Sequence, residues 1–224
     1  MKFKEIEFKY RANELGLIQV KKVFEEFPYR KFVEVGSWDY YYSSPDELEK
    51  FLRDRGGPGA NRRELTSKKQ TVQANNIERT EINLSKKSDI ETYNEFLKMI
   101  GLDKGSLLKE PSNAAIELTI DLDKVLQDAK DKGYWINFPI YKQCWIYWLK
   151  NNVVIVYYVV FDEDFQEVGR FLEIEADPEE EWESEEVALT TIKEVEKKFI
   201  SLGIKPQNRL NQSLYQLFRK DKKV

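Results

Sequence analysis

Glu5-Ile6-Glu7-Phe8-Lys9-Tyr10 near the start of the chain and Leu172-Glu173-Ile174-Glu175-Ala176 far along it alternate between charged and apolar side chains. A period of two belongs to a β-strand, whose successive side chains point to opposite faces of a sheet. One face of these strands carries Ile6, Phe8 and Tyr10, or Leu172, Ile174 and Ala176. The other carries Glu5, Glu7 and Lys9, or Glu173 and Glu175. The same split recurs between them: Arg53 shares a face with Arg55, Glu64 with Thr66 and Lys68, and Arg79 with Glu81.

Helical periodicity marks three segments that need an apolar surface. Asn13 is expected to cap a helix bearing Leu17, Val20, Val23, Phe24 and Phe27. Further helices are expected over 89–100 and over 184–202, the latter capped by Ser184. The apolar strand faces supply that surface, so the ionic faces must line something else. A sheet of about eight strands closed into a barrel would turn them inward around one small ligand. The expected fold is therefore α+β, a closed antiparallel β-barrel of about eight strands with helices packed outside. It is read as a single domain over 1–224 with an insertion at 103–138.

Smaller features complete this reading. Ser44-Pro45-Asp46-Glu47 resembles a capping box and predicts a short helix through about Leu48. Strands are expected over Lys31–Tyr42 and Phe51–Arg55. Glu64–Gln70 and Glu78–Leu84 are expected to pair, as are Ile140–Leu149 and Asn152–Phe161. Ala115–Leu122 reads as a strand running into a helix over Asp123–Lys132, and Leu210, Leu214 and Leu217 stand at helical spacing. The acidic tract Asp177–Glu186 reads as a solvated loop and helix start.

Composition narrows the chemistry. The 224 residues contain no histidine, which excludes imidazole bases and ligands, and one cysteine, Cys144, which excludes an internal disulfide and a cysteine cage. A metal would have to sit on carboxylates, which favours Mg²⁺ or Mn²⁺. Two carboxylates on one strand face project side by side, so Glu5 with Glu7 and Glu173 with Glu175 can build one such site. The net charge of -4 argues against an extended nucleic acid as partner, though not against a short phosphorylated ligand. The longest apolar run, Val153–Phe161, is too short to span a membrane, and the amino terminus alternates without an apolar core segment. A cytoplasmic protein with no membrane partner is expected.

These motifs, in this order, resemble the CYTH superfamily, the triphosphate tunnel metalloenzymes. Glu5-Ile6-Glu7-Phe8-Lys9 is similar to its ExExK signature, and Trp38–Tyr42 to its D-x-Y-Y segment. Phe51-Leu52-Arg53-Asp54-Arg55 resembles the LRxR strand, Glu64-Leu65-Thr66-Ser67-Lys68 the LTxK strand, and Arg79-Thr80-Glu81 the RxE strand. Val168–Glu175 resembles the LGxFxEIE strand, the most specific match. Lys142-Gln143-Cys144 stands where the family has KxR, so that arginine is missing.

The resemblance implies a divalent-cation-dependent triphosphatase acting on inorganic triphosphate or a small triphosphorylated molecule. By the same resemblance Lys9, Arg53, Arg55, Lys68, Arg79 and Lys142 would hold phosphates. Glu5, Glu7, Glu173 and Glu175 would hold the metal, with Glu81 and Asp162 in support. Lys9 would contact the charge developing on the transferred group, and a tyrosine, taken as Tyr41, would orient the attacking water beside it. Alternatives with the same charges are a class IV adenylate cyclase making cyclic AMP from ATP, and a noncatalytic nucleotide or polyphosphate binder.

Overall fold

A reversal at Asn152, whose φ of 62° is one that asparagine tolerates, pairs Tyr141–Trp148 with Val154–Phe161. It is one of several hairpins from which the sheet is built. The computed structural model describes residues 6–47, 49–56, 62–73, 76–102, 119–177 and 180–221, with backbone alone over 70–73 and 76–79.

The strands are β1 (Glu7–Arg11), β2 (Tyr29–Ser43), β3 (Lys50–Arg55), β4 (Glu64–Gln73), β5 (Asn76–Leu84), β6 (Trp135–Leu149), β7 (Val153–Phe161), β8 (Glu167–Ala176) and β9 (Arg209–Leu210). The helices are α1 (Leu17–Lys21), α2 (Ile90–Met99), α3 (Leu122–Asp131), α4 (Glu185–Ser201) and α5 (Leu214–Phe218). The strands form one antiparallel sheet in the order β5-β4-β3-β2-β6-β7-β8-β1-β9. Against the expected closed barrel of about eight strands, the described residues form nine strands, and no hydrogen-bonded pairing among them joins β5 to β9. β9 occupies the outer edge of β1 at Lys9 and Tyr10.

The chain divides into two compact units, Met1–Ser37 with Tyr141–Asn211 and Trp38–Ile140 with Gln212–Val224; β2 and β6 run from one into the other. In the first unit Phe8, Tyr10, Ile155, Tyr157, Leu172 and Ile174 bury one sheet face against Val20 of α1 and Ile192, Val195 and Phe199 of α4. In the second, Tyr42, Leu52, Leu65 and Leu84 pack on Tyr93, Phe96 and Leu97 of α2 and Val125, Leu126 and Ala129 of α3. The part of the 103–138 segment that is described thus belongs to this core, while 103–118, including the expected start of a strand at Ala115, lies outside the described residues.

The helix starts follow cap chemistry. Asp89 accepts from the Thr92 amide at 2.7 Å and Ser184 from that of Val187 at 3.2 Å. Asn13 is not a cap: α1 begins after Gly16, and Asn13 Oδ1 accepts from the Arg170 amide at 2.9 Å, tying the loop to β8. No helix forms over the described part of Ser44–Leu48. Ser44 and Lys50 are joined by a backbone hydrogen bond of 3.3 Å instead, because β2 and β3 are close enough to need only a turn. Leu210 lies in β9, and only Leu214 and Leu217 are helical. Asp177 departs from the solvated acidic tract: it is 2% exposed, with Arg30 at 2.8 Å. No helix among the described residues is long and apolar enough to cross a membrane.

On the helix side of β3, the carboxylate of Asp54, 0% exposed, takes two hydrogen bonds of 2.8 Å from Arg63, which also reaches Asp123 at 2.5 Å. Removing one partner of a buried ion pair strands the other charge. Arg63→Ala is therefore expected to destabilise the protein by about 3–5 kcal/mol, measured as a loss in urea-unfolding free energy; Lys124→Ala on the exposed side of α3 serves as control.

Candidate functional site

Strand alternation gives each unit a second, ionic face. In the first unit the register places Glu7 opposite Glu175 and Lys9 opposite Glu173, all on the side away from Phe8, Leu172 and Ile174. On neighbouring β7 and β6, Tyr158 stands beside Phe171 and Cys144, and Lys142 lies opposite Val160. This face is shielded: Lys9 keeps 9% of its exposure, Lys142 6% and Tyr158 3%. It is not a polar sheet side turned to water.

Lys9 Nζ lies 3.1 Å from a Glu7 oxygen and 2.8 Å from one of Glu173. Tyr158 donates to the same Glu173 oxygen at 2.8 Å, and the Lys142 ammonium lies 5.8 Å from the Tyr158 ring centre. Burial alone would raise the Glu173 pKa, but Lys9, the Tyr158 hydrogen bond and the charge of Lys142 outweigh it and pull the pKa down to about 2.

The second unit carries a matching grid. Ser43 and Phe51 sit opposite each other, then Tyr41 and Arg53, then Asp39 and Arg55. On the other side of β3, Phe51 meets Lys68, Arg53 meets Thr66 and Arg55 meets Glu64; Glu81 faces Lys68 across β4 and β5. Arg53, 9% exposed, donates to Thr66 Oγ1 at 2.8 Å and has carboxylate oxygens of Glu64 and Glu81 at 3.6 and 3.8 Å. Its Nε is buried and has no hydrogen-bond partner among the described residues. Arg55 grips fully buried Asp39 through two hydrogen bonds of 3.0 and 3.3 Å, and Lys68 pairs with Glu81. Burial opposes ionisation of Glu81, yet Lys68 and Arg53 hold its pKa below the ordinary value.

The expected residues thus fall into two groups. Glu7, Lys9, Lys142, Glu173 and Glu175 share the ionic face of the first unit; Tyr41, Arg53, Arg55, Lys68 and Glu81 share that of the second. Glu5 and the side chain of Arg79 lie outside the described residues. The Asp162 carboxylate accepts from the amides of Asp164 and Gln166 at 3.0 and 2.8 Å, closing the β7–β8 turn. Sequence reasoning placed Thr66 on the ionic face without giving it a role, and it missed Tyr158 and Asp39. Asp39 was findable, since it stands two residues from Tyr41 and so shares its face.

A hard divalent cation fits the chemistry of the first group, whose donors are carboxylate oxygens on two adjacent strands. Among the described residues no set of three carboxylates is gathered for metal binding, and the ammonium of Lys9 bridges Glu7 and Glu173.

The fold is consistent with that of the CYTH, or triphosphate tunnel, proteins that the sequence motifs resemble. It is shared with the PH1012 protein of Pyrococcus horikoshii (20% identity, 96% of this chain and 99% of that one, TM-score 0.56). A conserved hypothetical protein of Pyrococcus furiosus is similar at 22% identity over 96% of this chain and 100% of that one, with TM-score 0.55. HpAC1 from Hippeastrum, put forward as an adenylyl cyclase and showing a dominant triphosphatase activity, matches at 11% identity over 96% and 94%, with TM-score 0.51. No protein-family model matches the sequence, and no curated protein does.

A carboxylate whose pKa is lowered in the native state stabilises it above the ordinary pKa, here 4.5, and loses that contribution as pH falls toward about 2. Glu173→Gln is expected to lower the melting temperature at pH 7 and to flatten its decline between pH 4.5 and pH 2, read by circular dichroism.

Proposed function

We propose that this chain is a divalent-cation-dependent triphosphatase that hydrolyses inorganic triphosphate or a small triphosphorylated molecule. The observation that carries this reading is the buried Arg53 Nε, without a hydrogen-bond partner among the described residues, on a sheet face of arginine, lysine and carboxylate. A buried donor left unfilled costs about 1–3 kcal/mol, which an anionic ligand would recover. The triphosphatase activity of HpAC1, which has the same fold, supports the choice of anion.

Phosphoryl transfer asks a protein for positioning and charge neutralisation, which arginine, lysine and carboxylate can provide without histidine. Arg53 would give phosphate oxygens its free Nε–H and, on releasing Thr66, an Nη–H. Arg55 is held rigid by Asp39, so its outer N–H groups can meet an anion with little loss of side-chain freedom. Lys68 and Lys142 would add point charges, with Arg79 as a further candidate. Tyr41, beside Arg53 on the same face, would orient the attacking water.

Glu7, Glu173 and Glu175, with Glu5, would hold Mg²⁺ or Mn²⁺, and Glu81 would keep Lys68 and Arg53 in place; Asp162 retains only its turn. The cation, when bound, supplies Lewis-acid charge neutralisation on the phosphates. Lys9 would then leave the carboxylates and donate to the group carrying charge in the transition state. Hydrolysis frees phosphate; cyclisation of ATP would free pyrophosphate with cyclic AMP. A cytoplasmic setting, where Mg²⁺ and triphosphates are both present, suits this reading.

Incubation with tripolyphosphate, thiamine triphosphate and ATP plus Mg²⁺ or Mn²⁺ is expected to release phosphate. Cyclic AMP as main product would instead establish the cyclase, and binding without turnover the noncatalytic binder. Arg53→Ala should raise KM for tripolyphosphate about tenfold to a hundredfold, the loss of a charge-assisted hydrogen bond. Glu7→Gln and Glu175→Gln should each raise the Mg²⁺ needed for half-maximal rate. Because the two residues are cross-strand partners at one site, the double variant should show less than the summed penalties. Unchanged Mg²⁺ dependence in both single variants would remove these carboxylates from the metal site.

A further inference from the structure

Resting on the triphosphatase reading, we propose that α5 is an aromatic stopper and that Tyr215 determines specificity: it confines the site to compact, all-phosphate substrates and excludes an attached nucleoside or heterocycle. The placement of an aromatic cluster carries the argument. Phe51 stands two residues from Arg53 on the same, ionic face of β3, with Tyr41 and Ser43 across from them on β2. None of these belongs to the core that the helices α2 and α3 cover.

Tyr215 of α5 lies on this face. Its ring stacks on Phe51 with centroids 4.4 Å apart at 17°, while Phe138 stacks on Tyr41 at 4.8 Å and 20°. The four rings are nearly closed off: Tyr41 is 3% exposed, Phe51 4%, Phe138 4% and Tyr215 2%. An organic group on a triphosphate gripped by Arg53 would commonly stack on such rings, yet their faces are already taken by one another. The phosphate-facing part of the grid stays ionic, and the row next to it is filled.

The stopper is fastened by polar contacts whose only evident purpose is to hold this short segment down. Tyr215 Oη and Ser43 Oγ are 2.8 Å apart, and Asn137 donates to the same Ser43 oxygen at 2.8 Å. Asn137 also brackets the Lys220 peptide, donating to its carbonyl at 2.9 Å and accepting from its amide at 2.7 Å. Gln216 donates to Glu49 at 2.6 Å. A five-residue helix has little stability of its own, so these contacts decide whether the rings stay in place.

The test compares kcat/KM for tripolyphosphate and for ATP, with Mg²⁺, in the full chain and its variants. Wild type is expected to prefer tripolyphosphate. Tyr215→Ala should raise the ATP-to-tripolyphosphate ratio at least about tenfold, mostly through a lower KM for ATP. Tyr215→Phe, which keeps the ring and loses only the hydroxyl, should leave the ratio alone. A merely structural role for Tyr215 would lower both values together, and that result overturns the proposal, as does a wild type that takes ATP as readily as tripolyphosphate. If circular dichroism shows Tyr215→Ala unfolded, Gln216→Ala, which loosens α5 from Glu49 without touching the rings, decides by the same ratio: a shift toward ATP supports the stopper and an unchanged ratio refutes it. Wild type that turns over neither substrate refutes the triphosphatase reading itself, an outcome distinct from turnover with an unmoved ratio.

Discussion

Charge that is shut away from water must be answered by opposite charge or by a ligand, and this requirement shapes both units. In an ordinary half-exposed sheet, water solvates the polar side and side chains there are nearly independent of one another. Here Lys9, Arg53 and Lys142 are buried on the polar side, so each position constrains its neighbours. Glu7 and Glu173 converge on Lys9; Glu64 and Glu81 lie near Arg53; Asp39 fixes Arg55. The apolar faces hold each unit together, while the charges of the ionic faces answer one another.

Buried ion pairs serve two ends in this molecule. Arg63 sits with Asp54 on the helix side of β3, where it gives two hydrogen bonds to Asp54 and one to Asp123 and acts as an internal strut. One residue away along the strand, on the opposite side, Arg53 keeps an unmatched N–H. The pleat separates them. The parity of β3 thus decides which face a neighbouring arginine serves: Asp54 points to Arg63 among the helices, and Arg53 points to the ionic side.

That parity was legible in the sequence, and so was much of the site. The alternation in Glu5–Tyr10 and Leu172–Ala176 gave the strands, their faces and the cross-strand meeting of Glu7 with Glu175, because a two-residue period translates directly into geometry. Caps at Asp89 and Ser184 were legible for the same local reason. What could not be read depended on distant partners. Asn13 looks like a cap until β8 offers it the Arg170 amide; Ser44-Pro45-Asp46-Glu47 looks helical until β3 pairs with β2. Leu210 has helical spacing but is claimed by the edge of β1. Tyr158 gave no charge signal in an apolar run, and only its neighbour on β8 makes it a donor to Glu173.

Lys9, set between Glu7 and Glu173, has a further consequence for the life of the chain before it meets any ligand. Many metal sites gather carboxylates whose mutual repulsion resists folding until the ion arrives, so that the apoprotein stays unfolded. Here a covalently attached ammonium neutralises that repulsion. The polypeptide thus carries its own counter-ion, built into the strand that bears Glu7 and facing the one that bears Glu173.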